Sequence, residues 1–216
     1  MITLIDYGIG NLRSIEKAFN AVGVDVLRTD DPERIAQAER LALPGVGAFA
    51  ACRSELDRRG LVEPILNAVQ SGTPLLGICV GMQLLFDASE EMGETPGLGL
   101  LPGRVVRFSP DLTESTGDGQ PRRLKVPHMG WSRVASSNSK LLDGLDGDSD
   151  TAPHYYFVHS YHAAADNPSD VLGWATYGER FPAIVGRERV FGVQFHPEKS
   201  QHAGLRLLQN FATLSF

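Results

Sequence analysis

A single cysteine in residues 74–86 is flanked by two glycines at a spacing that suits nucleophilic catalysis. Cys79 ends the apolar run PLLGIC, with Gly77 two residues before it and Gly81 two residues after it. When a strand turns sharply into a helix, the residue at the turn is strained, and neighbours without a Cβ avoid collisions. The start of the helix would favour the thiolate, and the Val80 amide could donate to an oxyanion. Cys79 could equally be a small core residue, since buried cysteines are common.

A cysteine nucleophile needs a base and the base needs an orienting group, and one later segment offers both. His196 and Glu198 stand on either side of Pro197, after an alternating strand pattern. Side chains two residues apart in an extended segment point the same way, and Pro197 biases His196 towards that conformation. Glu198 could hold one imidazole nitrogen while the other meets Cys79, or it could only cap the next helix. The cysteine turn and the His-Pro-Glu segment together favour a catalytic triad.

These residues need a scaffold, and the first half of the chain alternates short apolar strands with helical periods. The patterns predict strands at 3–6, 24–29, 40–45 and 73–79 and helices at 11–22, 32–38, 61–71 and 80–88. Such alternation is typical of an α/β fold with a largely parallel sheet covered by helices on both faces. Ligands gather at the carboxyl ends of parallel strands, which is where Cys79 is expected.

The second half is richer in strands. They are predicted at 104–108, 124–131, 154–161, 172–177 and 183–195, before a last helix at 200–213. We expect these strands to form an antiparallel extension of the same sheet, and residues 1–216 to form one domain. The polar, turn-rich residues 109–123 are expected to form a surface loop.

Composition excludes several classes of protein. The 216 residues carry a net charge of −6, so no basic field attracts nucleic acid or an anionic membrane. The two cysteines do not resemble a disulfide framework, and the first residues show no signal-peptide pattern. Polar residues and turn formers interrupt the uncharged stretch at 64–86, which argues against a membrane span. A soluble protein of the reducing cytoplasm is expected.

Two cofactor hypotheses find little support in the sequence. The segment DYGIGN at 6–11 lacks the third glycine of the dinucleotide-binding pattern, because position 13 is Arg13. Among the six histidines, only His159 and His162 have close ligand-like spacing, and on one strand they would face opposite ways. We therefore expect neither a cofactor nor a metal.

The two candidate motifs resemble those of the class I, triad-type glutamine amidotransferases. The family pattern G-x-C-x-G-x-Q matches residues 77–83, and the family H-P-E matches residues 196–198. Within the family, the chain is similar to the glutaminases that serve histidine biosynthesis. That similarity rests on the segments at 6–14, 43–49, 77–86, 124–131, 155–161 and 191–200.

The resemblance implies a flavodoxin-like open, mostly parallel sheet and a glutaminase reaction. Glutamine would be hydrolysed to glutamate and ammonia through a γ-glutamyl thioester on Cys79. His196 would take the thiol proton and later pass a proton to the leaving ammonia. Glu198 would orient His196.

The resemblance also implies positions that hold the substrate and its oxyanion. The oxyanion would be bound by the N–H groups of Val46 and Val80. Glycines on both sides of Val46 would let its peptide turn only when a partner is loaded, although the segment could also be a static turn. The substrate would be bound at Gly45, Gly47, Gln83, Ser160 and Tyr161.

A partner is implied because free ammonia would be lost to water, where it is mostly protonated. The similar glutaminases form heterodimers with a (β/α)8-barrel cyclase, which receives the ammonia through a channel. The cyclase makes imidazole glycerol phosphate and an aminoimidazole carboxamide ribonucleotide. Residues assigned to the interface or to the mouth of the site are Asn11, Met129, Trp131, Tyr155, Tyr156 and Lys199. The aromatic residues among them could equally belong to the core.

Two rival interpretations remain open on the sequence alone. A glutaminase of the same class could serve pyridoxal phosphate, anthranilate or nucleotide synthesis, although the segments at 44–47 and 125–131 argue against it. A silent scaffold could keep the fold without the reaction, although Cys79, His196 and Glu198 are all present.

Overall fold

An eight-stranded sheet forms the centre of the protein in the computed structural model, which describes residues 1–115, 120–136, 139–145, 147–148 and 150–215. From one edge to the other, its strands are β11 (Ala135–Ser136), β14 (Val171–Tyr177), β15 (Glu179–Arg187), β16 (Val190–Val193), β4 (Leu75–Ile78), β3 (Leu41–Leu43), β1 (Ile2–Ile5) and β2 (Val26–Thr29). The strands from β16 to β2 are parallel, and β15, β14 and β11 continue the sheet in antiparallel fashion. The predicted α/β class with an antiparallel extension is confirmed.

Other strands of the second half leave the main sheet. A four-stranded sheet has the order β13 (Tyr161–Ala165), β7 (Leu101–Arg107), β5 (Phe86–Ser89) and β6 (Thr95–Pro96). Two separate ribbons pair β10 (His128–Arg133) with β12 (His154–His159) and β8 (Thr113–Ser115) with β9 (Pro121–Arg123). The extension of the main sheet is therefore smaller than predicted, because β5 provides a second edge on which β7 pairs.

Helices accompany the parallel strands. They are α1 (Leu12–Ala21), α2 (Pro32–Ala36), α3 (Phe49–Arg58), α4 (Val62–Gln70), α5 (Val80–Gln83) and α6 (Gln201–Thr213). The apolar period of α1 buries Leu12, Ile15 and Phe19 on one face. Proline opens α2, and the side chain of Asp31 caps it by accepting from the Glu33 N–H at 2.9 Å.

The predicted helix at 80–88 is wrong beyond its first turn. The helix ends at Gln83, and Phe86–Ser89 forms β5 instead. The carbonyl groups of Leu84 and Leu85 accept from the N–H groups of Leu98 and Leu100 at 2.7 Å and 2.8 Å. These partners satisfy the carbonyl groups of Leu84 and Leu85, which a longer helix would have satisfied with its own N–H groups.

The predicted loop at 109–123 also needs correction. Its flanks pair as the antiparallel strands β8 and β9, while residues 116–119 lie outside the described residues. The pairing is supported by an ion pair between Arg122 and Glu114.

One hydrophobic cluster joins both halves of the chain. It contains Leu4 from β1 and Leu76 from β4, together with Phe181 from β15 and Phe211 from α6. No helix in the described ranges is long and apolar enough to cross a membrane. The shared core fixes the carboxyl ends of β4 and β16 next to each other, since the two strands pair directly.

Candidate active site

Cys79 lies at a sharp turn between β4 and α5. Its backbone angles are φ +57° and ψ −114°, and only 3% of its surface is exposed. A non-glycine residue at positive φ is strained and persists only where its surroundings hold it. Here the Cys79 N–H donates to the carbonyl oxygen of Val193 in β16 at 2.8 Å.

The two flanking glycines allow the turn to pack closely. A Cβ on Gly81 would lie 1.9 Å from the carbonyl oxygen of Leu43, and one on Gly77 would lie 2.5 Å from the carbonyl oxygen of Gly81. Real Cβ atoms do not approach backbone this closely. The small residues at both positions are therefore required by contacts of the turn with itself and with β3.

His196 and Glu198 form a hydrogen-bonded pair just beyond the end of β16. His196 is extended, with φ −98° and ψ 98°, and its Nδ1 lies 2.9 Å from Oε1 of Glu198. Both side chains are almost fully buried. The His196 N–H donates to the carbonyl oxygen of Tyr156 at 2.9 Å, which ties the segment to β12. Asn11, expected at the mouth of the site, also donates to Oε1 of Glu198 at 3.3 Å.

The surroundings of His196 favour its protonated form. Burial opposes the charge, but the interactions with Cys79 and Glu198 outweigh it and raise the pKa of His196 to about 10. Within the described ranges, Nε2 of His196 has no hydrogen-bond partner. A buried imidazole with one nitrogen held by a carboxylate and the other unpaired beside a cysteine is arranged for proton transfer.

Two glutamine side chains connect the cysteine turn to its neighbours. Nε2 of Gln83 donates to the carbonyl oxygen of Tyr161 at 3.0 Å and to Oε1 of Gln194 at 3.1 Å. Nε2 of Gln194 in turn lies 3.9 Å from Sγ of Cys79. Gln194 was not among the sequence candidates, although it is a polar residue in a buried strand pattern, two positions before His196.

A cleft of about 590 Å³ opens above Cys79. The candidate residues that line it are Asn11, Val46, Gly47, Cys79, Val80, Gln83, Ser160, Tyr161, His196 and Lys199. Glu198 lies behind His196, and Gly45 packs against the turn, where its Cβ would come within 2.6 Å of the Gly81 nitrogen. Most of the candidate residues, from segments far apart in sequence, thus meet in one place.

Glu91 is a lining residue that the sequence patterns did not indicate. Its carboxylate lines the cleft and accepts from the Phe49 N–H at 2.7 Å, at the beginning of α3. This contact could not be anticipated, because α3 itself was not predicted and Glu91 lies 42 residues away from Phe49.

The candidate interface residues lie beside the cleft rather than in it, except Asn11 and Lys199. Met129 and Trp131 are 64% and 46% exposed. Trp131 pairs across the ribbon with Tyr156, and their rings are 5.9 Å apart. Tyr155, by contrast, is a core residue stacked on Phe195 at 4.0 Å.

The histidines considered for a metal do not lie on one strand. β12 ends at His159 and His162 belongs to β13, and both rings contact Phe108, at 5.1 Å and 4.7 Å. The expectation that they face opposite ways on one strand is wrong, because the chain changes sheets at Ser160. In the part of the chain that the structure describes, no group of three or more His, Cys, Asp or Glu side chains could hold a metal.

Comparisons with known proteins define the class. The model of the family "Glutamine amidotransferase class-I" matches residues 3–214. Solved structures agree in fold: one of a glutamine amidotransferase has a TM-score of 0.70 at 19% identity, with 98% of each chain covered. PurLQS from Thermotoga maritima has a TM-score of 0.71 at 18% identity, with 97% of this chain and 96% of that chain covered. The chain belongs to the class-I glutamine amidotransferase family.

Curated relatives narrow the assignment within that family. Imidazole glycerol phosphate synthase subunit HisH from Salinibacter ruber is 57% identical, over 99% of this chain and 94% of that protein. The subunit HisH from Syntrophotalea carbinolica is 50% identical, over 99% of this chain and all of that protein. At these identities over nearly the whole length, the chain groups with the HisH subunits, which are glutaminase subunits.

Proposed function

We propose that the protein hydrolyses L-glutamine to glutamate and ammonia and passes the ammonia to a (β/α)8-barrel cyclase subunit. The cyclase would use it to make imidazole glycerol phosphate and an aminoimidazole carboxamide ribonucleotide in histidine biosynthesis. The proposal is carried by Cys79, strained at its turn, which shares one cleft with His196, whose other side is held by the buried Glu198. The reducing cytoplasm is the proposed location. Both cysteines are free thiols in the structure, which is typical of proteins of a reducing compartment.

The chemistry follows from the three side chains. Sγ of Cys79 attacks the side-chain amide carbon of glutamine after its proton passes to Nε2 of His196. The tetrahedral intermediate collapses, its C–N bond breaks, and the imidazolium gives its proton to the leaving ammonia. Water, deprotonated by His196, then hydrolyses the γ-glutamyl thioester to glutamate and returns the thiol. Glu198 holds the imidazole through Nδ1 and stabilises the imidazolium.

The proposed oxyanion hole uses the N–H groups of Val46 and Val80. Neither N–H has a hydrogen-bond partner among the described residues, and both residues line the cleft. Unpaired N–H groups beside a nucleophile can donate to an oxygen that becomes negative in the transition state. The N–H of Val46 is assigned the role of the movable donor, because Val46 has a glycine on each side.

Substrate recognition is assigned to the far wall of the cleft. Ser160 and Tyr161 would hold the amino-acid end of glutamine together with Gly47, which also lines the cleft. Glu91 adds a carboxylate in the cleft for the α-ammonium group of the substrate. Gln83 also lines the cleft, and its amide holds Tyr161 by donating to the carbonyl oxygen of that residue.

The proposed docking surface comprises Met129, Trp131 and Tyr156, with Lys199 at the mouth of the cleft. Exposed apolar and aromatic groups of this kind are enriched at the centres of protein interfaces. Their position beside the cleft would let the cyclase cover the mouth and receive ammonia before water protonates it.

The direct test is glutamate release with and without the barrel cyclase and its ribonucleotide ligand. We expect slow release by the isolated chain and strong activation by the loaded cyclase. Full activity of the isolated chain would favour another glutaminase of this class. No activity under any condition would favour a silent scaffold.

A further inference from the structure

Two buried side chains each hold one carbonyl group of the segment of residues 44–47. We call these two groups the outer carbonyls, because they belong to Pro44 and Val46, on either side of Gly45. The hydroxyl of Tyr7 donates to the carbonyl oxygen of Pro44 at 2.6 Å. The thiol of Cys52 donates to the carbonyl oxygen of Val46 at 3.4 Å. Both side chains are fully buried, Tyr7 just after β1 and Cys52 in α3.

Both donors keep their protons at neutral pH. Burial, followed by the neighbouring Cys52, raises the pKa of Tyr7 well above its ordinary value. Burial likewise raises the pKa of the Cys52 thiol, although contacts with Tyr7 and with the backbone of Val46 oppose this. A protonated hydroxyl and a protonated thiol can each donate to a carbonyl oxygen, the thiol more weakly.

The peptide between the two fixed carbonyls has no such support. Among the described residues, neither the carbonyl oxygen of Gly45 nor the N–H of Val46 has a hydrogen-bond partner. Gly45 also lies against the nucleophile turn, since its Cβ would come within 2.9 Å of Cβ of Val80. On the other side, Gly47 has φ +81° and open space around the position of a Cβ. The segment thus has two fixed ends and one unpaired peptide next to the oxyanion site.

We infer that Tyr7 and Cys52 are positioning residues that confine rotation to the peptide between Gly45 and Val46, and so aim the Val46 N–H at the oxyanion. The inference rests on the proposed glutaminase function. With both outer carbonyls held, turning this one peptide changes the direction of a single N–H. Without them, the neighbouring peptides would also turn and the donor would be poorly aimed.

A positioning role predicts a change in kcat without a change in KM, which a purely structural role would not produce. An oxyanion donor acts in the transition state and hardly touches bound glutamine, so a poorly aimed donor lowers kcat while KM stays nearly constant. Tyr7→Phe removes only the hydroxyl, and we expect kcat to fall about five-fold, the equivalent of one ordinary hydrogen bond. Cys52→Ala should cause a smaller fall, because a thiol is a weak donor. Cys52→Ser should keep kcat near the wild-type value, because it retains a donor.

The experiment measures kcat and KM for glutamate release by the chain in complex with the barrel cyclase and its ribonucleotide. Leu56→Val is the matched control, because Leu56 is buried on the same face of α3 and has no polar contact with the segment. It should lower thermal stability without lowering kcat. Unchanged kcat in Tyr7→Phe and Cys52→Ala, or equal losses in Cys52→Ser and Cys52→Ala, would overturn the inference while the wild-type complex stays active. An inactive wild-type complex would overturn the proposed function and this inference with it.

Discussion

Cys79 is held at a backbone angle that few non-glycine residues adopt, and its neighbours leave the turn little room to relax. The spacing of Gly77 and Gly81 around it could be recognised in the sequence, because close packing at such a turn admits only small residues. Gln194 offered only a weak signal, a polar residue in an apolar strand pattern, and Glu91 offered none, because its contact with Phe49 joins residues 42 positions apart. At this scale, a sequence reveals the residues that a local backbone demands but not those that tertiary contacts recruit.

Gly81→Ala tests the demand for space at the turn. Its Cβ would meet the Leu43 carbonyl at 1.9 Å, so either β3 or the turn must shift. We expect the free energy of unfolding to fall by about 3 kcal/mol in urea titrations, and kcat for glutamine to fall about 100-fold. Gly97→Ala is the control, because its Cβ would meet the Phe86 carbonyl at the same 1.9 Å but outside the cleft. Equal losses of kcat in both variants would contradict a specific role for the turn.

His196 sets the expected pH dependence of the reaction. Its pKa is raised to about 10, so the imidazolium is retained below that pH and lost as the pH rises through it. We expect kcat/KM, which reports groups of the free enzyme, to decline on the alkaline side near pH 10, because the leaving ammonia then lacks a proton donor. Glu198→Gln removes one cause of the raised pKa and should move this decline to lower pH, with a smaller loss of kcat than His196→Ala. A decline near pH 6.5 in the wild-type enzyme would contradict this assignment of the proton donor.

Whole elements differ in how far the sequence reveals them. The four parallel strands of the first half were predicted because each is a short apolar run between turn signals. α3 was missed although Phe49, Cys52 and Leu56 have helical spacing, since this apolar period is short and most of residues 53–58 are polar or charged. β5 was missed because its partners at 95–107 determine it, and pairing across such a distance leaves no local signal.

The ribbon of β10 and β12 buries two histidines that should make the protein sensitive to acid. Nδ1 of His128 lies 3.2 Å from Nε2 of His159, and Nε2 of His128 lies 3.0 Å from Oγ of Ser132. Burial lowers the pKa of His128 to about 4 and that of His159 to about 3. The unfolded chain takes up these protons below about pH 6.5, before the folded chain does.

Stability should therefore fall as the pH falls from about 6.5 towards 4, and be fully present above about 6.5. Urea unfolding at pH 7, 6 and 5 measures this slope. His128→Gln should reduce the slope between pH 6 and 5, whereas His202→Gln, which removes an exposed histidine of α6, serves as the control. An unchanged slope in His128→Gln would contradict the assignment to this buried pair.

At the scale of the whole molecule, the shared core stabilises the fold, whereas the proposed docking surface would bind the partner. The core joins both halves of the chain, which supports the prediction of one domain over residues 1–216. Met129 and Trp131 stay exposed beside the cleft and Tyr156 is partly buried, which is consistent with the proposed docking surface. Sequence alone left Trp131 and the tyrosines undecided between core and surface, because an aromatic strand residue suits either face.

Trp131→Ala should weaken the complex without destabilising the chain. Large aromatic side chains at interface centres commonly contribute about 2 kcal/mol or more to binding. We expect the Kd for the cyclase, measured by isothermal titration calorimetry, to rise at least about ten-fold. Trp174→Ala on β14 is the control, because Trp174 lies under Arg180 in the main sheet and outside the docking surface. If both variants bind as the wild type does, the proposed docking surface is wrong.

The most direct test of the central claim is to identify the nucleophile. The complex with the loaded cyclase is incubated with 6-diazo-5-oxo-L-norleucine, a glutamine analogue that alkylates nucleophiles, and the peptides are analysed by mass spectrometry. We expect one adduct on Cys79 and none on Cys52, with loss of glutamine turnover in proportion to labelling and retention of ammonia-dependent synthesis. Labelling elsewhere, or glutamine turnover that persists in Cys79→Ala, would contradict the assignment of Cys79 as the nucleophile.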